Sequence, residues 1–318
     1  MRLHPHASRL RRPAVTLTEI VVVLAIISTL STLGFTAYFA ASKFANKIET
    51  EANDAALAAA GPRKSIADLR PSQQYRLPMG PPPASVPQWR GPDGPISATV
   101  DLRPQMPPIY NQGAIGSCVD NALAAILQYD GMREGGDKNT PSRLFLYYNA
   151  RTLQGDVNYD GGSSIHNAIR GADIYGYCDE TLWPYITAKE FIKPSTSCYA
   201  AAKKYCIRDY HSVKQDASHI KSAIAGGNPV IFGFTVYASF ETTAVATTGI
   251  VPMPKKGEKI LGGHGVLAVG YSDPSQMYLC RNSWGTSWGI KGYFWMPYAY
   301  VNSNQLAGDF WVVNSVPK

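Results

Sequence analysis

A thiol, an imidazole and two carboxamides, spaced along this chain, could together attack a carbonyl carbon. The thiol is Cys118, in the stretch NQGAIGSCVDNALAAILQY from Asn111 to Tyr129, where a glycine-rich loop turns into an apolar run. A cysteine there could be inert core filling, half of a disulfide, a metal ligand or a nucleophile. The first turn of a helix favours the nucleophile, because its unpaired amides and dipole lower the cost of a thiolate. Such a thiol needs a base. Of the six histidines, His4 and His6 lie at the start of the chain, which leaves His166, His211, His219 and His264. His264 stands apart in LGGHGVLAVGY, where glycines permit close approach of another segment and VLAVGY reads as a buried strand. Further on, YLCRNSWGTSWGIKGYFWM sets Asn282 at the end of another strand. A carboxamide there can hold one imidazole nitrogen and turn the other toward the thiol. His166 and His211 read as packing or strand residues. A zinc site fits poorly, since the chain has no CxxC pair and no close Cys/His spacing, and no cofactor is expected.

The order Gln112, Cys118, His264, Asn282, in the forms QGxxGSC, GGHGVxxVGY and NSWGxxWGxxGY, resembles the papain-like cysteine peptidases, in particular a bacterial branch of them. The likeness runs from about Val100 through Tyr293, and VDLR at Val100 to Arg103 resembles the mature start of such enzymes. It implies a two-lobed α+β fold, with a helical lobe begun by Cys118 and a β-barrel-like lobe carrying His264 and Asn282. It also implies cleavage of protein or peptide substrates through an acyl-enzyme on Cys118. His264 would be general acid and base, Asn282 its orienting partner, and Gln112 a donor to the oxyanion. Trp284 would shield the bond between His264 and Asn282. Gly161 and Gly162 would offer backbone hydrogen bonds to an extended substrate, and a specificity pocket would lie beside Ser163, Ser164 and Gly262, its wall kept low by Gly262 and Gly263. The insertions that turn relatives into exopeptidases have no counterpart between Cys178 and Cys206, which favours an endopeptidase.

Departures from the family pattern carry expectations too. Ile115 and Tyr159 stand where relatives have two bridged cysteines, so packing should replace that bridge. Cys178 with Cys198 or Cys206 is the remaining candidate for a disulfide, suited to an oxidising compartment; the sequence does not choose between the two.

The elements that must position these residues begin near Ile96. Val119, Ala122, Leu123, Ile126 and Leu127 predict a helix from Cys118 with one buried face. Before Ile96 the text changes. Arg2, Arg9, Arg11 and Arg12 precede the uncharged run IVVVLAIISTLSTLGFTAYFAAS, Ile20 to Ser42, which is long enough to span a bilayer. Glu19 at its edge, five positions after Ala14, makes Ala14-Val15-Thr16-Leu17-Thr18-Glu19 resemble the leader of type IV prepilins and pseudopilins. That resemblance implies cleavage between Ala14 and Val15 by a prepilin peptidase, and pilin-like subunits as partners. With or without the cut, the basic flank stays cytoplasmic, so the body is expected in the periplasm of an inner-membrane protein or exported. The expected division is a leader over 1–14, a transmembrane or pilin-like helix over 15–42, a helical and Pro-rich linker or proregion over 43–95, and a peptidase domain over 96–318.

The charge of +7 is no sign of nucleic-acid binding. Of 30 Lys+Arg and 23 Asp+Glu, 11 and 6 precede residue 97, so the body carries only 19 − 17 = +2. Two other functions remain open at this level: a pilus- or secretion-associated binding or assembly module on the same fold, and an acyl transferase using the same residues.

Overall fold

The computed structural model of the protein describes residues 77–91, 94–134 and 139–317. The expected leader, the 15–42 helix with Ala14, Val15 and Glu19, and most of the 43–95 linker lie outside them. Among the described residues no helix is long and apolar enough to cross a membrane.

The apolar run forms helix α1, Cys118–Arg133. It does not keep one wet face: every residue from Cys118 to Gly131 is buried. Helices cover one side of it and the sheet the other, so its polar residues must find partners inside the protein. Gln128 accepts from the Tyr110 hydroxyl at 2.5 Å and donates to Thr140 Oγ1 at 3.0 Å. Asp130 accepts from the Ser315 amide at 2.9 Å. The helical side is completed by α2 (Arg143–Gln154), α3 (Ile165–Tyr175) and α4 (Thr196–Ala202), each begun by a serine whose hydroxyl accepts a backbone N–H of the first turn. Ser164 is one of these caps, on α3.

The other side is a seven-stranded antiparallel sheet built from β1 (Thr99–Asp101), β2 (Tyr205–Ser212), β3 (Val230–Tyr237), β4 (Ile260–Ser272), β5 (Met277–Arg281), β6 (Tyr293–Pro297) and β7 (Ala307–Pro317). Its order is β2-β7-β3-β4-β5-β6, with β1 added to β4. Short helices α5 (Ala217–Ala225), α6 (Thr243–Thr248) and α7 (Tyr298–Val301) fill its connections. The register of β3 on β4 sets Phe234 opposite His264 and Gly233 opposite Gly265. Phe234 then sits among Phe232, Phe240, Phe294 and Tyr300, an aromatic floor beneath the histidine.

The structure shows part of the 43–95 segment, read as linker or proregion, and changes one expectation, the disulfide. Part of the Pro-rich linker is docked: Leu77 is buried, the Trp89 amide donates to Ser212 O at 2.7 Å, and Gln88 bridges to Ser212 in parallel. The expected disulfide is not formed, since all five cysteines are free thiols. Cys178 and Cys198 nevertheless share one buried cluster with Phe145 and Ala202, whereas Cys206 lies on β2 opposite Val316.

A buried ion pair ties the helical side together. Arg143, 1% exposed, pairs with Glu180 at 2.6 Å, donates to Asn121 Oδ1 at 3.2 Å, and lies over the Tyr185 ring at 3.9 Å. Removing the cation alone strands a partly buried carboxylate. Arg143→Met should therefore destabilise the fold by about 3 kcal/mol, read as a fall in the denaturation midpoint at unchanged m-value.

Candidate active site

Cys118 opens α1 and is fully buried, and β4 comes up against it: the Gly265 N–H donates to Cys118 Sγ at 3.4 Å. The missing side chain eases this approach. A Cβ on Gly265 would lie 2.8 Å from Val119 Cγ2 and 3.4 Å from Val119 Cα. The glycine that follows His264 in sequence thus brings the histidine strand onto the first turn of the cysteine helix.

His264 is also fully buried, and its Nε2 is 2.9 Å from Asn282 Oδ1. The orientation of Asn282 is fixed from its other side, because the same Oδ1 accepts the Ser283 N–H at 2.8 Å. An oxygen therefore faces the ring, so Nε2 must carry a hydrogen, and Nδ1 is the nitrogen left to exchange a proton. Trp284 stacks on the imidazole at 4.8 Å and 28°, and Trp288 and Phe240 pack edge-on against Trp284. The indole thus lies against the ring that Asn282 holds.

Gln112 is buried in the loop before α1. Its Nε2 donates to Ile115 O at 3.0 Å, using one of two hydrogens, and its Oε1 accepts from Ser283 Oγ at 2.7 Å. Ser283 also accepts the Gln112 N–H on its carbonyl at 2.8 Å. This serine, next to Asn282 in the NSWG motif, fixes both carboxamides of the site and was not singled out from sequence.

The thiol departs from expectation. The amides of Gly265, Val119 and Cys118 pull its pKa down, but burial outweighs them and pushes it up to about 12. A thiolate is stable here only with a cation beside it, which is the part an imidazolium His264 can play. Asp120, two residues on, adds to the cost. It is fully buried, its Oδ2 accepts from Ser163 Oγ at 2.6 Å, and its Oδ1 has no hydrogen-bond partner. Burial raises its pKa to about 7, against the pull of Ser163 and Arg151.

The expected substrate residues divide. Gly162, at φ +77°, gives its N–H to the Tyr147 hydroxyl at 3.3 Å and its carbonyl to Gln154 Nε2 at 3.2 Å, so internal partners already hold both groups. The Gly161 N–H closes a turn onto Tyr159 O at 2.9 Å. Ser163 is bound to Asp120, and Ser164 caps α3. At Gly263 and Gly233 the room that missing side chains leave is taken by Leu77. A Cβ would meet Leu77 O at 2.8 Å on Gly263 and Leu77 Cδ2 at 2.4 Å on Gly233, and the Leu77 N–H donates to Gly263 O at 3.3 Å. Gly262, at φ +145°, begins the same glycine run. His166 stacks flat on Trp311 at 5.4 Å, a packing role. Among the described residues no group of three or more His, Cys, Asp or Glu could hold a metal ion.

Because the Asp120 carboxyl has a raised pKa in the folded state, the stability that it contributes is complete below about pH 4 and is lost as pH rises through 7. The melting temperature of wild type minus that of Asp120→Asn should accordingly fall between pH 4 and pH 8 by roughly 4 °C or more, a difference that leaves every other titrating group in common.

Comparison with known proteins places this geometry. Residues 96–310 match the family model described as papain family cysteine protease. An uncharacterised peptidase C1-like protein of Acanthamoeba polyphaga mimivirus is 40% identical over 70% of this chain and 76% of its own length. Chicken cathepsin K is 30% identical over 65% of this chain and 60% of its own. The solved structure of xylellain, a cysteine protease from Xylella fastidiosa, superposes with a TM-score of 0.70 at 37% identity, over 77% of this chain and 97% of that one. On the family model that covers residues 96–310 and the mimivirus relative, the chain belongs to the papain family of cysteine peptidases.

Proposed function

We propose that Cys118, His264, Asn282 and Gln112 carry out the hydrolysis, and that the enzyme is an endopeptidase. The thiolate attacks the peptide carbonyl carbon, forming a C–S bond and placing negative charge on the oxygen. The Cys118 N–H and the second Nε2 hydrogen of Gln112 receive that charge. His264 Nδ1 passes its proton to the leaving nitrogen as the C–N bond breaks, then takes one from the water that cleaves the thioester.

One observation carries the endopeptidase reading: the segment lying against the glycines beside His264 is an internal stretch of this chain, with residues before and after Leu77. A site that accepts an internal residue of a chain suits cleavage within a chain rather than at its end. The Leu77 contact also supports a substrate with a branched aliphatic side chain at the matching position, and a segment that restrains the enzyme until displaced. In the full chain, Leu77→Asp should raise kcat/KM at least fivefold on an internally quenched peptide blocked at both ends, and Cys118→Ala should abolish hydrolysis in either background. An unchanged rate in Leu77→Asp removes the restraint, and activity only on peptides with a free end removes the endopeptidase.

The basic, apolar start of the sequence supports a body tethered to the inner membrane or exported. An ionised Glu19 at the apolar edge is costly without a cation, and in a pilin-like fibre the freed amine of a neighbouring subunit supplies one. N-terminal sequencing of the protein from its native host should find Val15 first; an intact Met1 leaves a plain anchor, and a cut near residue 40 leaves a secreted enzyme.

A further inference from the structure

The bridge that relatives place at Ile115 and Tyr159 would join the loop before the nucleophile to the loop carrying Gly161 and Gly162. Apolar packing does only part of that work here. Ile115 joins Leu144, Tyr147 and Tyr185 in a small buried cluster, but Tyr159 is 61% exposed and lies outside that cluster.

Asp160, its neighbour, spans the gap. Its Oδ1 accepts the Gly116 N–H at 2.9 Å and also the hydroxyl of Tyr147, a fully buried residue of α2. The Tyr147 hydroxyl in turn accepts the Gly162 N–H. Gly116 lies two residues before Cys118 in a tight setting: a Cβ would be 3.0 Å from Asp160 Oδ1 and 3.2 Å from Gly162 Cα. Behind them the guanidinium of Arg151, fully buried, lies 3.9 Å over the Tyr147 ring and donates to Tyr159 O at 3.0 Å. On the far side of the nucleophile, Ser163 and Asp120 make a second tie between the same loop and α1.

We propose that Asp160 is a positioning residue for hydrolysis: through Gly116 and Tyr147 it holds the Gln112–Cys118 loop and the glycine loop in register, so that the oxyanion donors stay aligned with the thiol without a covalent cross-link. One carboxyl oxygen that accepts a backbone N–H and a hydroxyl together is directional enough to set such a register. The substitution Asp160→Asn keeps an oxygen that can accept both bonds, whereas Asp160→Ala frees the Gly116 amide and the Tyr147 hydroxyl from it together.

Two reactions of Cys118 separate positioning from general damage. Alkylation by iodoacetamide needs the thiolate and His264 but no oxyanion donors and no substrate strand; peptide hydrolysis needs all of them. Asp160→Ala should lower kcat at least tenfold while the second-order rate of Cys118 alkylation stays within threefold of wild type. Asp160→Asn should retain hydrolysis within threefold. Tyr147→Phe, which keeps the ring under Arg151 and removes only the hydroxyl, should show the same split as Asp160→Ala in smaller degree, and it serves if the alanine variant does not fold. Hydrolysis within twofold of wild type in Asp160→Ala or, failing that variant, in Tyr147→Phe overturns the proposal. So does a parallel loss of hydrolysis and alkylation, which would mark Asp160 as a fold residue only.

Discussion

Everything at this site depends on one close approach, the strand bearing His264 lying against the first turn of the helix bearing Cys118. The two residues belong to different lobes, and neither lobe alone contains a reacting pair. Glycine at 265 removes the side chain that would collide with Val119 and leaves a backbone N–H at hydrogen-bond distance from the thiol sulfur. The rest of the architecture serves to keep that contact from opening. Helix α1 is buried on every side, β4 is paired along its length with β3 and β5, and Arg281 donates to the carbonyls of Pro107 and Pro108 at 2.7 and 2.5 Å, fastening the chain just ahead of Gln112 to the end of β5.

Burial is what makes the contact chemically useful and also what makes it costly. A thiol removed from water resists ionisation, and the helix dipole with three nearby amides does not overcome that in this protein. The nucleophile is therefore best understood as half of a pair. Asn282 and Ser283 fix the imidazole so that its exchangeable nitrogen is Nδ1, and Trp284 is stacked on that ring. In the proposed mechanism a proton on that ring is the compensating charge where the dipole falls short.

The same economy governs the loop opposite. Where relatives are stapled by sulfur, this chain uses buried polar groups in which Asp160 joins the Tyr147 hydroxyl to the Gly116 amide just before Cys118, with Arg151 stacked over the Tyr147 ring. Polar hubs of this kind are directional, so they can set a register, but each member must be satisfied or the whole arrangement loses its advantage. Asp120, with one oxygen unpartnered, sits at the edge of that condition, and its burial holds its proton to near neutrality.

Much of the site was legible in the sequence. Cys118, His264, Asn282 and Gln112 declare themselves by residue type and by the glycines and tryptophans around them, because the chemistry needs those side chains and the backbone needs those glycines. The helical and strand periodicities likewise gave a helix from Cys118 and buried strands near His264 and Asn282. What they could not give was which residues meet across the fold. Asp160 reaches Gly116 over 44 residues, Ser163 reaches Asp120 over 43, and Ser283 reaches Gln112 over 171. Leu77, in a stretch that reads as linker, finds a place only because two strands lay Gly233 and Gly263 within reach of it. Residue type and local spacing determine which groups can react. Their protonation, partners and register follow from burial and long-range pairing, which exist only once the lobes have closed on each other.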